Sequence, residues 1–175
     1  MAGNAEFADK EGISELVSMA MRGDVGVVGA RSYYKNRTLE HAGCVIGMNG
    51  TAGSLFEHTL RGENGYFSHI VTQMQYSAVA GACMMVKKDI FEKVNGFDEG
   101  YKGELGKVDL CLKIRNKHIS VVYNPYVEMV RWSNELQNNE NDEKIFKKQW
   151  AEILEKGDPY YNKNLSLSVS GCNIR

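Results

Sequence analysis

The sequence lacks most features that make a function easy to assign. No apolar run approaches the roughly 20 residues of a membrane span. The start, MAGNAEFADKEG, has neither the basic stretch nor the apolar core of a signal peptide, so the chain reads as cytoplasmic. Neither sign of charge dominates: 21 Lys and Arg stand against 22 Asp and Glu, spread along the chain, for a formal net charge of -1. The electrostatic footprint of a nucleic-acid binder is therefore missing. The four cysteines (Cys44, Cys83, Cys111, Cys172) form no C-x-x-C pair, and three of them sit in apolar segments. They read as buried free thiols and not as metal ligands or disulfides. His41, His58, His69 and His118 show no ligand-pair spacing and read as surface or loop residues. No internal repeat or low-complexity block is visible.

What is present suits one α/β domain: 175 residues with 43% hydrophobic content are enough for a core. In EGISELVSMAM, Ile13, Leu16, Val17 and Ala20 recur at three- and four-residue spacings, which predicts a short helix with those residues on its buried face. DVGVVGARSYY predicts a buried strand, and the region from Thr38 to about Gly65 predicts hairpin and loop. In SAVAGACMMVKKDIFEKVNGF, small and apolar residues predict a short strand. Asp89 and Glu92 then predict a capping box for a brief helix stopped at Gly96. A helix is predicted over about 108–115, a strand pair around Pro125, and one amphipathic C-terminal helix with Ile145, Phe146, Trp150 and Ile153 on a face.

Five segments in order, VGVVGARSYYKNRTLEHAGCVIG, SAVAGACMMVKKDIFEKVNGFDE, VDLCLKIRNK, VVYNPYVEMVRW and DPYYNKNLS, cover most of the chain. Through them it resembles the C-terminal, acceptor-side half of a family 2 glycosyltransferase, the inverting, nucleotide-sugar-dependent type with a GT-A fold. The resemblance implies an α/β fold: a partial GT-A (Rossmann-like) mixed sheet flanked by helices, lacking the N-terminal nucleotide-binding half. Residues 1–157 would form the glycosyltransferase-like part and 158–175 an extended tail. It also implies a parent enzyme that moves sugar from a nucleotide-sugar to a saccharide or lipid-linked acceptor, held at the inner face of the membrane through the parent protein. The isolated chain is then expected to be inactive, with a non-catalytic carbohydrate- or partner-binding module as the alternative. A cut sheet is expected to leave an open edge and to self-associate.

The family's functional positions are altered here. Its D-x-D element, which holds Mg2+ or Mn2+ on the diphosphate, falls on Asn4-Ala5-Glu6, where an uncharged amide replaces the first carboxylate. The acidic base before V-D-L is replaced by Gly106-Lys107, and a cation cannot accept the acceptor's proton. The histidine of a Y-x-E-x-x-H arrangement is replaced by Arg131. Lys107 is expected either to be an exposed lysine left after decay of the site or, with Arg131, to offer positive charge to a diphosphate in place of the metal, with Glu104 standing in as base. The acidic loop residues Asp98 and Glu99 would lie on the acceptor side or form a solvated loop between two helices, and Asp109 in the first helical turn would serve the helix dipole and cap or bind substrate. Gly81 and Ala82 would border the donor sugar, where small residues allow close approach. In the pairs Tyr33-Tyr34 and Tyr160-Tyr161, at most one member of each is expected to line a site.

Overall fold

The computed structural model describes residues 5–79, 82–132 and 138–174. The chain is α/β, a mixed sheet flanked by helices. Its elements in order are β1 (Ala5–Phe7), α1 (Gly12–Ala20), β2 (Val25–Tyr34), β3 (Leu39–His41), β4 (Cys44–Ile46) and β5 (Ala52–Ser54). They continue with β6 (Met74–Gln75), β7 (Met84–Val86), α2 (Lys88–Lys93), α3 (Leu105–Arg115), β8 (Ser120–Arg131), α4 (Glu140–Gln149) and α5 (Ala151–Lys156). The spine is the parallel pair β2 and β8; β1 and β6 add to β8, and β3 and β7 add to β2, all antiparallel. Strands β4 and β5 form a separate hairpin. Gly43, at φ +105°, turns β3 into β4, and a Cβ there would fall 2.3 Å from the Tyr76 ring.

The region around Pro125 is one strand, not the predicted pair. Asn124 registers with Ala30 and Glu128 with Arg31, so residues 125–127 bulge out and the pairing resumes beyond them. Proline lacks the N–H a ladder needs, and a bulge accommodates it without ending the strand. The predicted single C-terminal helix is broken at Trp150 (φ −111°, ψ 24°), whose indole N–H is held by Asp109 of α3 at 3.0 Å. The predicted Asp89 cap does not form, because α2 begins at Lys88 and Asp89 lies inside its first turn.

Helix α3 is buried nearly all round, from Leu105 through Ile114, and forms the centre of the main core. The opposite face of the sheet is covered by α1, through Leu16 and Ala20 against Val25, Val28 and Met129. The predicted buried face of α1 is rotated: Gly12, Leu16 and Ala20 seat on the sheet, while Ile13 and Val17 are exposed. The small Gly12 permits this, since a Cβ there would lie 2.6 Å from Phe7. Cys44, Cys111 and Cys172 are buried free thiols, and burial pushes Cys111 up to about 12. Residues 158–174 follow turns and close a bridge between Leu165 and Ile174, with Leu165, Leu167 and Tyr161 against the main core.

The stripe of Ile13 and Val17 on α1 and Met21 just after it is open to solvent, and β7 pairs with β2 on one side only among the described residues. Such surfaces favour self-association. Light scattering is expected to detect dimers or larger species as concentration rises, and Val17→Glu is expected to shift the population toward monomer. A monomer at every concentration would rule this out.

Candidate functional site

The loop leading into α3 is fixed by side chains from the start of α4. Asn139 accepts from the Asp142 amide at 2.9 Å and caps α4. The Asp142 carboxylate also accepts from the Lys102 and Gly103 amides at 3.0 and 2.8 Å, and Asn138 accepts from the Leu105 amide at 2.9 Å. The free N–H groups that make a helix start attractive to anions are thereby partly occupied. Asp98 accepts from the Gly100 amide at 2.8 Å and forms a local turn, with Glu99 exposed beside it.

Four charges meet at the front of α3. Lys107 Nζ lies 2.7 Å from Glu104 Oε2, Arg131 Nη1 lies 3.8 Å from Glu104 Oε1, and Arg131 Nε lies 2.5 Å from Glu40 Oε1. Glu40 and Arg131 are buried and Glu104 nearly so. Two cations and two carboxylates balance, which is the condition for placing charges in a low-dielectric interior. The two cations therefore do converge, but on a carboxylate of the chain itself. Glu104 at the N-cap position also offsets the positive end of the helix dipole that Lys107 faces one turn in.

His41, next to Glu40, is fully buried and not the surface residue expected. The Gly43 amide donates to its Nε2 at 3.3 Å, so the ring proton sits on Nδ1, 3.1 Å from Ser54 Oγ. Burial, with the charges of Lys107 and Arg131, pushes its pKa down to about 3, so the imidazole stays neutral. Beyond Ser54 opens a cavity of about 180 Å³, lined with polar groups from Asn49, Ser54, Glu57, Glu104 and Asn138 over an apolar wall of Leu105 and Val108. Glu57 accepts from the Tyr34 hydroxyl at 2.5 Å.

The remaining predicted residues are spread over several places. Asn4 and Gly81 lie outside the described residues. Glu6 is exposed on β1, one position from Ala5, the register partner of Arg131. Ala82 is half-buried against the α1 core. Asp109 is fully buried and accepts from Gln149 Nε2 at 2.8 Å and Trp150 Nε1 at 3.0 Å, with Lys113 Nζ at 2.8 Å, tying α3 to the α4–α5 break. Of the tyrosine pairs, Tyr33 is buried and Tyr34 reaches Glu57, while Tyr160 is exposed and Tyr161 packs on the core. The residues around Arg131 do not suit a divalent cation, because half the charges there are positive and each is already paired with a carboxylate. Among the described residues, no group of three His, Cys, Asp or Glu is placed to hold a metal. Glu40, His41, Glu57 and Asn138 gave no site signal in the sequence, since each is one polar residue in a strand or loop whose partners are distant in sequence; Asp142 carries a local capping-box spacing with Asn139, but its bonds to the Lys102 and Gly103 amides are not local.

The chain is similar to two curated proteins. It is 34% identical over 177 residues to uncharacterized protein y4gI of Sinorhizobium fredii, covering 94% of this chain and 19% of that protein. It is 30% identical over 178 residues to O-antigen biosynthesis protein RfbC of Myxococcus xanthus, covering 97% of this chain and 14% of that protein. The chain thus spans less than a fifth of the length of these relatives. No family model and no solved structure matches it. Among the described residues, no helix is long and apolar enough to cross a membrane.

Proposed function

We propose that this chain is a glycosyltransferase-like domain with a role in polysaccharide biosynthesis, in which the position of the catalytic base no longer performs proton transfer. The similarity to an O-antigen biosynthesis protein supports the polysaccharide role. The observation that carries the loss of chemistry is Glu104 held between Lys107 and Arg131. Lys107 stands where the carboxylate base would be, and both cations are turned onto Glu104 and Glu40 and so drawn away from a diphosphate. Calorimetric titration with UDP- and dTDP-sugars, with and without Mg2+ or Mn2+, is expected to show no metal-dependent binding. A metal-dependent dissociation constant in the micromolar range would overturn this reading.

The cavity supports a second reading, a non-catalytic carbohydrate-binding module. Its carboxylates and amides (Asn49, Glu57, Asn138) are hydrogen-bonding groups suited to hydroxyls, and it opens beside the charge quartet. Saccharide binding that is lost in Glu57→Ala while nucleotide binding stays absent would favour this reading over the first.

A further inference from the structure

The chain contains three Asn-Gly pairs, Asn49-Gly50, Asn64-Gly65 and Asn95-Gly96, each with an exposed asparagine. The fold requires the glycines. Their φ angles are +83°, +70° and +61°, and a Cβ would fall 2.8 Å from Ile70 at Gly65 and 2.8 Å from Phe91 at Gly96. An asparagine before a glycine can close a five-membered ring on itself, because the next amide nitrogen is held near the side-chain carbonyl and no Cβ shields it. The three pairs differ in what holds that nitrogen.

The Gly50 N–H donates to the Gly47 carbonyl at 3.0 Å, in a turn that also ties the Asn49 amide to the Leu167 carbonyl at 2.9 Å. The Gly96 N–H donates to the Phe91 carbonyl at 2.9 Å, just past the end of α2. At both places a backbone hydrogen bond must break before the nitrogen can turn toward the side chain. The Gly65 N–H, by contrast, donates to no group among the described residues, and residues 61–68 around it are all exposed. The Asn64 carbonyl accepts from the Ile70 amide at 3.1 Å and so closes a loop in which Phe67 and Ser68 are held at φ +46° and +61°. Ile70 anchors that loop in the core: it is buried, and its carbonyl accepts from the Tyr123 hydroxyl at 2.8 Å.

We infer that Asn64 is a site of spontaneous deamidation and that Asn49 and Asn95 are protected from it while the chain is folded. The Gly65 nitrogen gives up its proton to solvent and bonds to Asn64 Cγ; the Cγ–Nδ2 bond breaks and ammonia leaves. Water then opens the succinimide at one carbonyl or the other, giving aspartate or isoaspartate. Isoaspartate carries the backbone through its side chain and lengthens it by one carbon, directly beside the bond to Ile70. That product therefore loosens the loop from its anchor. This inference is independent of the function proposed above.

Incubation of the chain in mildly alkaline buffer, followed by peptide mass spectrometry with fragmentation that separates isoaspartate from aspartate, tests it. In the folded chain Asn64 is expected to convert about tenfold or more faster than Asn49 or Asn95, the factor set by the hydrogen bond the other two must break. In urea all three are expected to convert alike. The isoaspartate form is expected to exchange the Ile70 amide proton faster than the parent chain. Equal rates in the folded chain, or faster conversion at Asn49 or Asn95, would overturn the inference. Rates in urea that already favour Asn64 would place the selectivity in the local sequence and overturn it equally. Aspartate without isoaspartate would rule out the ring closure, and unchanged Ile70 exchange would rule out the loosened anchor.

Discussion

Replacing Arg131 with alanine is expected to cost about 3–5 kcal/mol of stability, because it strands Glu40 in the interior and removes one of the two cations on Glu104. The penalty comes mainly from the buried carboxylate left behind, so the double change Arg131→Met with Glu40→Leu is expected to recover most of it. Urea denaturation of the parent, Arg131→Met, Glu40→Leu and the double variant closes a cycle. A large coupling energy between positions 40 and 131 is the expected result, and simple additivity would show that the quartet does not act as a unit. Where Arg131→Ala fails to fold, the double variant still reports, because it removes the Glu40–Arg131 pair together and leaves Glu104 paired with Lys107.

The second large effect is expected from Asp158→Ala. This buried carboxylate accepts from the Ile46 amide at 2.7 Å, the Ser77 hydroxyl at 2.6 Å and the Tyr160 amide at 2.9 Å. It joins the C-terminal segment to β4 and to the strand region before β7. Arg115 strengthens the same junction by donating to Ser77 Oγ at 2.7 Å and lying over the Tyr160 ring at 4.9 Å. Alanine would leave buried donors without an acceptor, at a cost of about 2–4 kcal/mol. Hydrogen exchange is expected to speed up at Ile46, and also at Asn49 and Phe56, whose amides donate to Leu167 and Ser170 of the same segment. Unchanged protection at all three would mean that residues 158–174 are held by their apolar side chains alone.

Local pattern made several elements legible. The strand VGVVGARSYY and the helices at Gly12–Ala20, Lys88–Lys93 and Leu105–Arg115 all fall where periodicity or apolar runs place them. The errors arose where a side chain far away in sequence overrides the local signal. Trp150 lies in an unbroken helical pattern, yet its indole bonds to Asp109 and the helix splits there. Ile13 and Val17 share the helical spacing of Leu16 and Ala20, and the small Gly12 decides which of them meet the sheet. Asp89 has the spacing of a cap but lies two residues past the cap position at Lys87, while Asn139 and Asp142 form the capping box that does exist.

By itself the sequence determined the α/β class and drew attention to Lys107 and Arg131, because residue identity and spacing are local properties of the chain. It also posed the problem of a lysine near the positive end of a helix. Only the tertiary structure decided the answer, by carrying Glu40 on β3 and Arg131 on β8 to the start of α3 so that Glu104 is held from both sides. Charge balance in a buried site depends on which residues meet in space, and two strands and one helix start supply the four groups here.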